Sequence, residues 1–159
     1  MNLLYFICLC LVSHMASADV CKLDVSATDQ MHFEQQSLQV ESQCTEVEVT
    51  LHNSGKLPAN VMGHDWVLTK TSDVSSVSNA GMGAGLANNY QKPGDKRILA
   101  ATRIIGGGEK TTVTFSMSQL QTGTSYTYFC SVPGHISVMK GRLVLNAVSS
   151  GAVAKNEAE

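Results

Sequence analysis

The stretch "TEVEVTLHN", residues 45–53, alternates polar and apolar side chains along its length. Successive side chains of a β-strand point to opposite faces of a sheet, so Val47, Val49 and Leu51 share one face. This period of two predicts a strand with one face buried in a core. The stretches "KTTVTFSM" (110–117) and "GRLVLNA" (141–147) alternate in the same way and predict two more strands.

Turn sequences separate the predicted strands. They are "NSGKLP" (53–58), "KPGDKR" (92–97), "GGG" (106–108) and "TGTS" (122–125). Short strands joined by such turns predict an all-β fold, an antiparallel sandwich or barrel. Between residues 71 and 89 the alternation fails and Ser, Gly, Ala and Asn dominate, which predicts a short helix or a flap over the barrel.

Residues 1–18 have the composition of a secretory signal peptide. They contain no charged side chain, run apolar from Leu3 to Val12 and end in Ala-Ser-Ala. This run is shorter than the roughly 20 residues of a membrane helix, so no membrane insertion is expected. We expect one domain at 19–146 and a disordered tail at 147–159. The formal net charge of −2 and the lack of a basic patch exclude a nucleic-acid-binding protein.

Three cysteines follow the predicted signal peptide: Cys21, Cys44 and Cys130. In an oxidising compartment two of three thiols normally pair. The third then needs another role, such as a reactive thiol, an intermolecular bridge or a metal bond. The sequence alone permits three pairings.

Soft donor side chains are concentrated near the end of the predicted domain. The stretch "TSYTYFC" predicts a strand that ends at Cys130, and Pro133-Gly134 predicts a turn. His135 and Met139 follow the cysteine at spacings of five and nine, so a hairpin-like loop would bring the three side chains together. Two imidazoles, one thiolate and a weak axial thioether form the blue-copper electron-transfer site.

His64 in "VMGHDW" is the best source of the second imidazole. It follows a proline turn and a glycine at which backbone can approach closely, whereas His32 and His52 have no soft neighbour. Each of these residues taken singly is more often a packing residue. Their joint pattern favours copper, and Trp66 is assigned to the core.

Several separated motifs carry a resemblance to a known family. Besides the loop from Cys130 to Met139 they are "DQMHF" (29–33), "LPANVMGHDWVL" (57–68), "GMGAGL" (81–86), "GGGEKTTVTF" (106–115) and "MKGRLVL" (139–145). With these motifs the chain resembles the azurins, small blue-copper proteins of the cupredoxin family, over nearly all of residues 21–146.

The resemblance implies a Greek-key β-sandwich of the cupredoxin type with a short helical flap. It also implies a disulfide between Cys21 and Cys44, and one type 1 copper ion. The implied copper ligands are His64, Cys130 and His135 in a plane, with Met139 and the backbone carbonyl of Gly63 on the axis.

The implied function is that of a periplasmic electron carrier, a monomer without enzymatic activity. Electrons would pass through the exposed edge of His135 to a redox donor or acceptor, such as a cytochrome or a periplasmic reductase. The implied apolar docking patch comprises Met31, Met62, Val132, Pro133 and Gly134. Two alternatives are a copper oxidase or reductase domain, which a histidine beside Cys130 would favour, and a protein that stores or delivers copper.

The sequence departs from the azurin pattern at two positions near this site. Asp65 replaces an asparagine whose amide ties the two ligand loops together, and an ionised carboxylate has no donor for that role. A charged Asp65 would stabilise Cu(II) and lower the reduction potential, whereas burial would keep it protonated. Val132 replaces an aromatic residue, which makes the docking patch less bulky.

Overall fold

A computed structural model describes residues 19–146, and the predicted signal peptide (1–18) and tail (147–159) lie outside the described residues. Its strands and α-helices, in chain order, are β1 (Val20–Ala27), β2 (Ser37–Val40), β3 (Glu46–Asn53), α1 (Ala59–Met62), β4 (Val67–Lys70), α2 (Val74–Ala84), β5 (Ala100–Ala101), β6 (Lys110–Ser116), β7 (Tyr126–Phe129) and β8 (Lys140–Leu145). Within residues 19–146, no helix combines the length and apolar character needed to cross a bilayer.

The strands form two sheets that pack face to face. One sheet has the order β1-β3-β6 and the other the order β2-β8-β7-β4-β5. The predicted all-β sandwich is therefore confirmed. The expectation of purely antiparallel pairing is wrong for two ladders, since β1 pairs parallel with β3 and β2 parallel with β8. The reason for the first is that β2 crosses to the other sheet, so β3 re-enters the first sheet in the direction of β1.

The core lies between the two sheets and matches the alternation in the sequence. Val47, Val49 and Leu51 of β3 are all fully buried, as the period of two predicts. Trp66 is also in the core, where its ring stacks against Tyr128 at a centroid distance of 5.6 Å. Strand β6 is one residue shorter than predicted, because Met117 begins a short 3-10 helix rather than continuing the strand.

The predicted flap is the helix α2, which covers part of the outer face of the five-stranded sheet. Its buried Val77 packs with Val67 of β4 and Phe129 of β7 in a small second cluster. A turn of 3-10 helix, Leu86–Asn88, follows α2 and leads into the segment 89–91. The flap thus leads to the segments next to β4 and β7 that contain the predicted ligands.

A disulfide joins Cys21 of β1 to Cys44, two residues before β3. This pairing is the one implied by the resemblance, and it is confirmed. Of the cysteines in the described part of the chain, Cys130 alone is free, and it is buried.

The double variant Cys21→Ala/Cys44→Ala should lower the free energy of unfolding by about 3 kcal/mol, because the unfolded chain regains the entropy of the closed loop. The two cysteines are 23 residues apart. Urea unfolding of the copper-free protein, followed by circular dichroism, measures the change. Cys130→Ala is the control, since it removes a thiol without removing a cross-link. An equal loss in both variants would contradict the prediction.

Candidate metal centre

Three donor side chains from distant parts of the chain converge at one end of the sandwich. The sulfur of Cys130 lies 3.5 Å from Nδ1 of His135 and 4.0 Å from Nδ1 of His64. One ligand atom from each residue lies within 4.8 Å of the others, and all three residues are buried. The structure therefore brings together the three residues predicted to bind copper in a plane.

The register of the five-stranded sheet accounts for the meeting of His64 and Cys130. Strands β4 and β7 pair with Val67 opposite Phe129, and the two segments continue side by side beyond the ladder. His64 is held on its other side by a two-bond bridge to Ile105, at 3.0 and 2.8 Å. Gly63 packs tightly against α1 and Ile104, since a Cβ there would lie 2.3 Å from the carbonyl oxygen of Ala59 and 2.6 Å from a side-chain carbon of Ile104.

The ring of His64 is held in one tautomer. Its Nε2 lies 2.9 Å from the carbonyl oxygen of Thr28, which can only accept, so Nε2 carries the hydrogen and Nδ1 presents a lone pair. Burial and, to a smaller extent, the nearby His135 lower the pKa of His64 to about 4, although the hydrogen bond to Thr28 raises it. The imidazole is therefore neutral at pH 7, as metal binding requires. Sequence reasoning missed Thr28, because a backbone carbonyl leaves no side-chain signal.

The predicted loop does close after β7. Gly134 adopts φ = 87°, a left-handed turn conformation that suits glycine, and His135 then begins a single turn of 3-10 helix. The N–H of Met139 donates to the carbonyl of His135 at 2.8 Å, and the N–H of Cys130 donates to the carbonyl of Met139 at 3.1 Å. These two bonds hold Cys130, His135 and Met139 together, which explains their spacing in the sequence.

The donor set fits a transition metal ion. Bonds of about 2.0 Å to nitrogen and 2.3 Å to sulfur, as in zinc sites, place trigonal ligand atoms about 3.7 Å apart, which is close to the separations from Cys130 to the two imidazoles. Burial raises the pKa of the Cys130 thiol well above its usual range, so a bound cation is needed to form the thiolate. Thiolate with imidazole selects copper, zinc or iron–sulfur chemistry rather than magnesium or calcium.

Comparison with known proteins decides among these metals. Residues 19–146 match the family model described as copper binding proteins, plastocyanin/azurin family. The chain belongs to the plastocyanin/azurin family. It is 50% identical over 125 residues to the azurin of Bordetella pertussis, covering 79% of this chain and 83% of that protein. It is 51% identical over 125 residues to the azurin of Pseudomonas chlororaphis, covering 79% and 98%.

A solved structure agrees with the sequence comparison. The azurin Az-iso2 of the obligate methylotroph Methylomonas sp. strain J superposes with a TM-score of 0.78 at 46% identity, covering 80% of this chain and 98% of that chain. As a member of this family, the present chain has copper as its cofactor. Proteins of the family act in general in electron transfer rather than as enzymes.

Asp65, one of the two residues named above as departures from the azurin pattern, is fully buried between the two ligand segments. One carboxyl oxygen accepts a hydrogen bond from the N–H of Ser131 at 2.7 Å. The other lies beside the hydroxyl of Ser131 and accepts from Nε2 of Gln91 at 2.9 Å. The carboxyl group therefore does tie the segments together, because its neighbours supply the donors.

Hydrogen-bond geometry favours the protonated form of Asp65. The hydroxyl oxygen of Ser131 contacts both Asp65 and the carbonyl oxygen of Asn89, the latter at 2.9 Å. A serine hydroxyl has one hydrogen and a carbonyl has none, so an ionised Asp65 would have to share that hydrogen with Asn89, whereas a protonated Asp65 can donate to the hydroxyl oxygen and satisfy both contacts. Burial also raises the pKa of Asp65, against the opposing effect of its hydrogen bonds to Ser131 and Gln91. Of the two states predicted from sequence, the neutral acid is the one that fits.

The residues of the predicted docking patch differ in exposure. Met31, Pro133 and Gly134 are exposed, whereas Met62 and Val132 are half-buried. Sequence reasoning missed five large apolar side chains that are also exposed, on α1, α2 and the loops: Leu57, Val61, Met82, Leu86 and Val138. An apolar residue in a turn-rich segment is a usable signal for such exposure, and Leu57 in "NSGKLP" is an example.

The copper-free protein should lose stability as the pH falls from 6.5 towards 4. Unfolded His64 takes up a proton near its ordinary pKa of 6.5, whereas folded His64 stays neutral down to about 4. The expected loss from this one group is about 3 kcal/mol at pH 4. Urea unfolding at four pH values measures it, and His64→Gln should flatten the slope. A titration by NMR that gives folded His64 an ordinary pKa would contradict this.

Asp65→Asn should change the reduction potential of the copper-loaded protein by less than about 30 mV at pH 7, because one neutral side chain replaces another. Removing a buried negative charge would instead raise the potential by roughly 90 mV, equivalent to about 2 kcal/mol. Voltammetry distinguishes the two outcomes. Glu46→Gln, which removes an exposed carboxylate on β3, is the matched control.

Proposed function

We propose that this protein is a periplasmic electron carrier that cycles one copper ion between Cu(I) and Cu(II). The planar ligands are His64, Cys130 and His135, and the axial ligands are Met139 and the carbonyl of Gly63. The supporting observation is that the three planar donors are already close together and buried within the folded chain. When bound, copper supplies the one-electron couple, and the chain supplies a fixed ligand geometry.

Fixed geometry is the main contribution of the chain to electron transfer. His64 is fixed by the carbonyl of Thr28 and by the bridge to Ile105, and Cys130 by its backbone bond to Met139. Ligands that are held in this way need to move little when the charge at the site changes. A small rearrangement makes one-electron transfer fast in both directions.

Redox partners would dock on the apolar end of the molecule. We assign to this docking surface the predicted patch together with Leu57, Val61, Met82, Leu86 and Val138. His135 is 7% exposed, and its Nε2 has no hydrogen-bond partner among the described residues. This edge is the proposed exit for the electron. An apolar surface without strong charge suits short-lived complexes with a donor and an acceptor protein.

Storage or delivery of copper is the weaker alternative. Within residues 19–146, a single group of three His, Cys or acidic side chains is arranged to hold a metal. A monomer with one buried site suits a carrier. The predicted signal peptide at 1–18 supports the periplasmic location, which is the compartment in which the disulfide would form.

Copper reconstitution of the mature protein tests the proposed function. We expect an intense absorption near about 600 nm, as for a copper–thiolate bond, together with reversible one-electron voltammetry. Cys130→Ser should abolish the absorption, and Met139→Ala should retain it with a changed potential. Tight copper binding without colour or redox cycling would support storage instead.

Val61→Lys should slow electron self-exchange by about tenfold or more without changing the reduction potential, because an ammonium group must be desolvated at each encounter. Val61 is 59% exposed on α1. Val144→Lys, on the exposed face of β8, is the matched control and should leave the rate unchanged. Line broadening in NMR spectra of mixed Cu(I) and Cu(II) protein gives the rate, and equal slowing by both variants would contradict the assignment.

A further inference from the structure

The side chain of Gln91 connects the flap to the metal centre. Gln91 is half-buried and lies three residues after the 3-10 turn Leu86–Asn88. Its Nε2 donates to Oδ2 of Asp65 at 2.9 Å and to the carbonyl oxygen of Thr102 at 2.8 Å. Both hydrogens of the amide are therefore used, since each partner atom can accept.

These two acceptors belong to segments that border His64. Asp65 follows His64 directly, and the segment after Thr102 reaches Ile105, which is bridged to His64. The other oxygen of Asp65 accepts from the N–H of Ser131, next to Cys130. Gln91 is thus the donor that reaches Asp65 from outside the two ligand segments.

The neighbouring residues strengthen this connection. The side-chain oxygen of Asn89 accepts from the N–H of Ile104 at 3.0 Å, and the backbone carbonyl of Asn89 accepts from the hydroxyl of Ser131 at 2.9 Å. The segment 89–91 therefore contacts both ligand segments and the segment that bridges His64.

The backbone of this segment is strained. Asn89 and Tyr90 both have φ = 51°, and for a bulky residue such as Tyr90 this conformation is uncommon. Strain of this kind persists only where packing enforces it, and it is found at functional sites. Here α2 is packed directly against the segment, since a Cβ on Gly81 would lie 2.0 Å from the carbonyl oxygen of Tyr90.

We propose that Gln91 is a positioning residue of the metal centre, which holds the Asp65 side chain in place and so couples the flap to the separation of His64 and Cys130. The inference rests on the proposed assignment of those two residues as copper ligands. Without the amide of Gln91, Asp65 loses a donor, and the contact between the ligand segments depends on Ser131 alone.

The variant Gln91→Met, which keeps the length of the side chain and removes the amide, tests the proposal in the copper-free protein. Hydrogen exchange of the Ser131 amide should become about tenfold faster, the size expected for loss of a buried hydrogen bond. The amide of Val49 in β3 reports global unfolding and should change less. Gln39→Met, on the exposed side of β2, is the matched control.

A double-variant cycle separates coupling through Asp65 from a general effect. In the Asp65→Asn background Gln91→Met should have little further effect on hydrogen exchange at Ser131. The introduced amide keeps its oxygen towards the N–H of Ser131 and therefore turns its NH₂ group towards that of Gln91, and two NH₂ groups cannot bond each other. Equal effects in the two backgrounds, or no effect on Ser131 in either, would overturn the proposal.

If Gln91→Met fails to fold, Gln91→Glu and the exchanged pair Asp65→Asn/Gln91→Glu replace it. The exchanged pair should be better protected at Ser131 than Gln91→Glu alone, and the lack of any such rescue would overturn the proposal. In copper-loaded protein, Gln91→Met should also shift the thiolate–copper absorption. If the unaltered protein lacks that absorption, the proposed function fails, whereas the exchange measurements still decide the role of Gln91.

Discussion

The lateral contact between the segments of His64 and Cys130 is the constraint on which the whole site depends. These residues are 66 positions apart in the chain, and their side chains meet because β4 and β7 are neighbours in one sheet. The ladder itself ends at Val67 and Phe129, before the ligands are reached. Side-chain bonds from Asp65 to Ser131 take over where backbone pairing stops. A polar contact therefore extends the rigidity of the sheet into a loop region.

The donor side chains differ in whether they must lose a proton before they can bind a metal. His64 is neutral because it is buried, and its hydrogen bond to Thr28 leaves Nδ1 free, so it can bind metal without releasing a proton. Cys130 is a buried thiol with a raised pKa, and it must release one. The chain thus keeps its imidazoles prepared for a cation and leaves the sulfur uncharged until the cation arrives. This arrangement avoids an unpaired buried charge in the empty protein.

Sequence reasoning reached β3, β6, β7 and β8, the flap and the three converging donors, because each leaves a mark on side-chain identity or spacing, whereas the disulfide pairing was implied by the resemblance to the azurins. The alternation around Val49 and the turn before His135 are local signals of this kind. The parallel pairing of β1 with β3 could not be predicted, since register between distant strands is set by the path of the chain. Thr28 acts through a backbone carbonyl, which any residue possesses. Gln91 lies in a polar stretch that is typical of a loop, and only the fold places its amide against Asp65.

The deep burial of Cys130 has a consequence for how the protein is made. In an oxidising compartment, the three thiols that follow the predicted signal peptide allow wrong cross-links as long as all three are accessible. Once the sandwich has assembled, the third sulfur is shielded from thiol exchange and from oxidants. Rapid assembly of the β-framework, rather than the intrinsic chemistry of the cysteines, then governs the yield of correctly bridged protein.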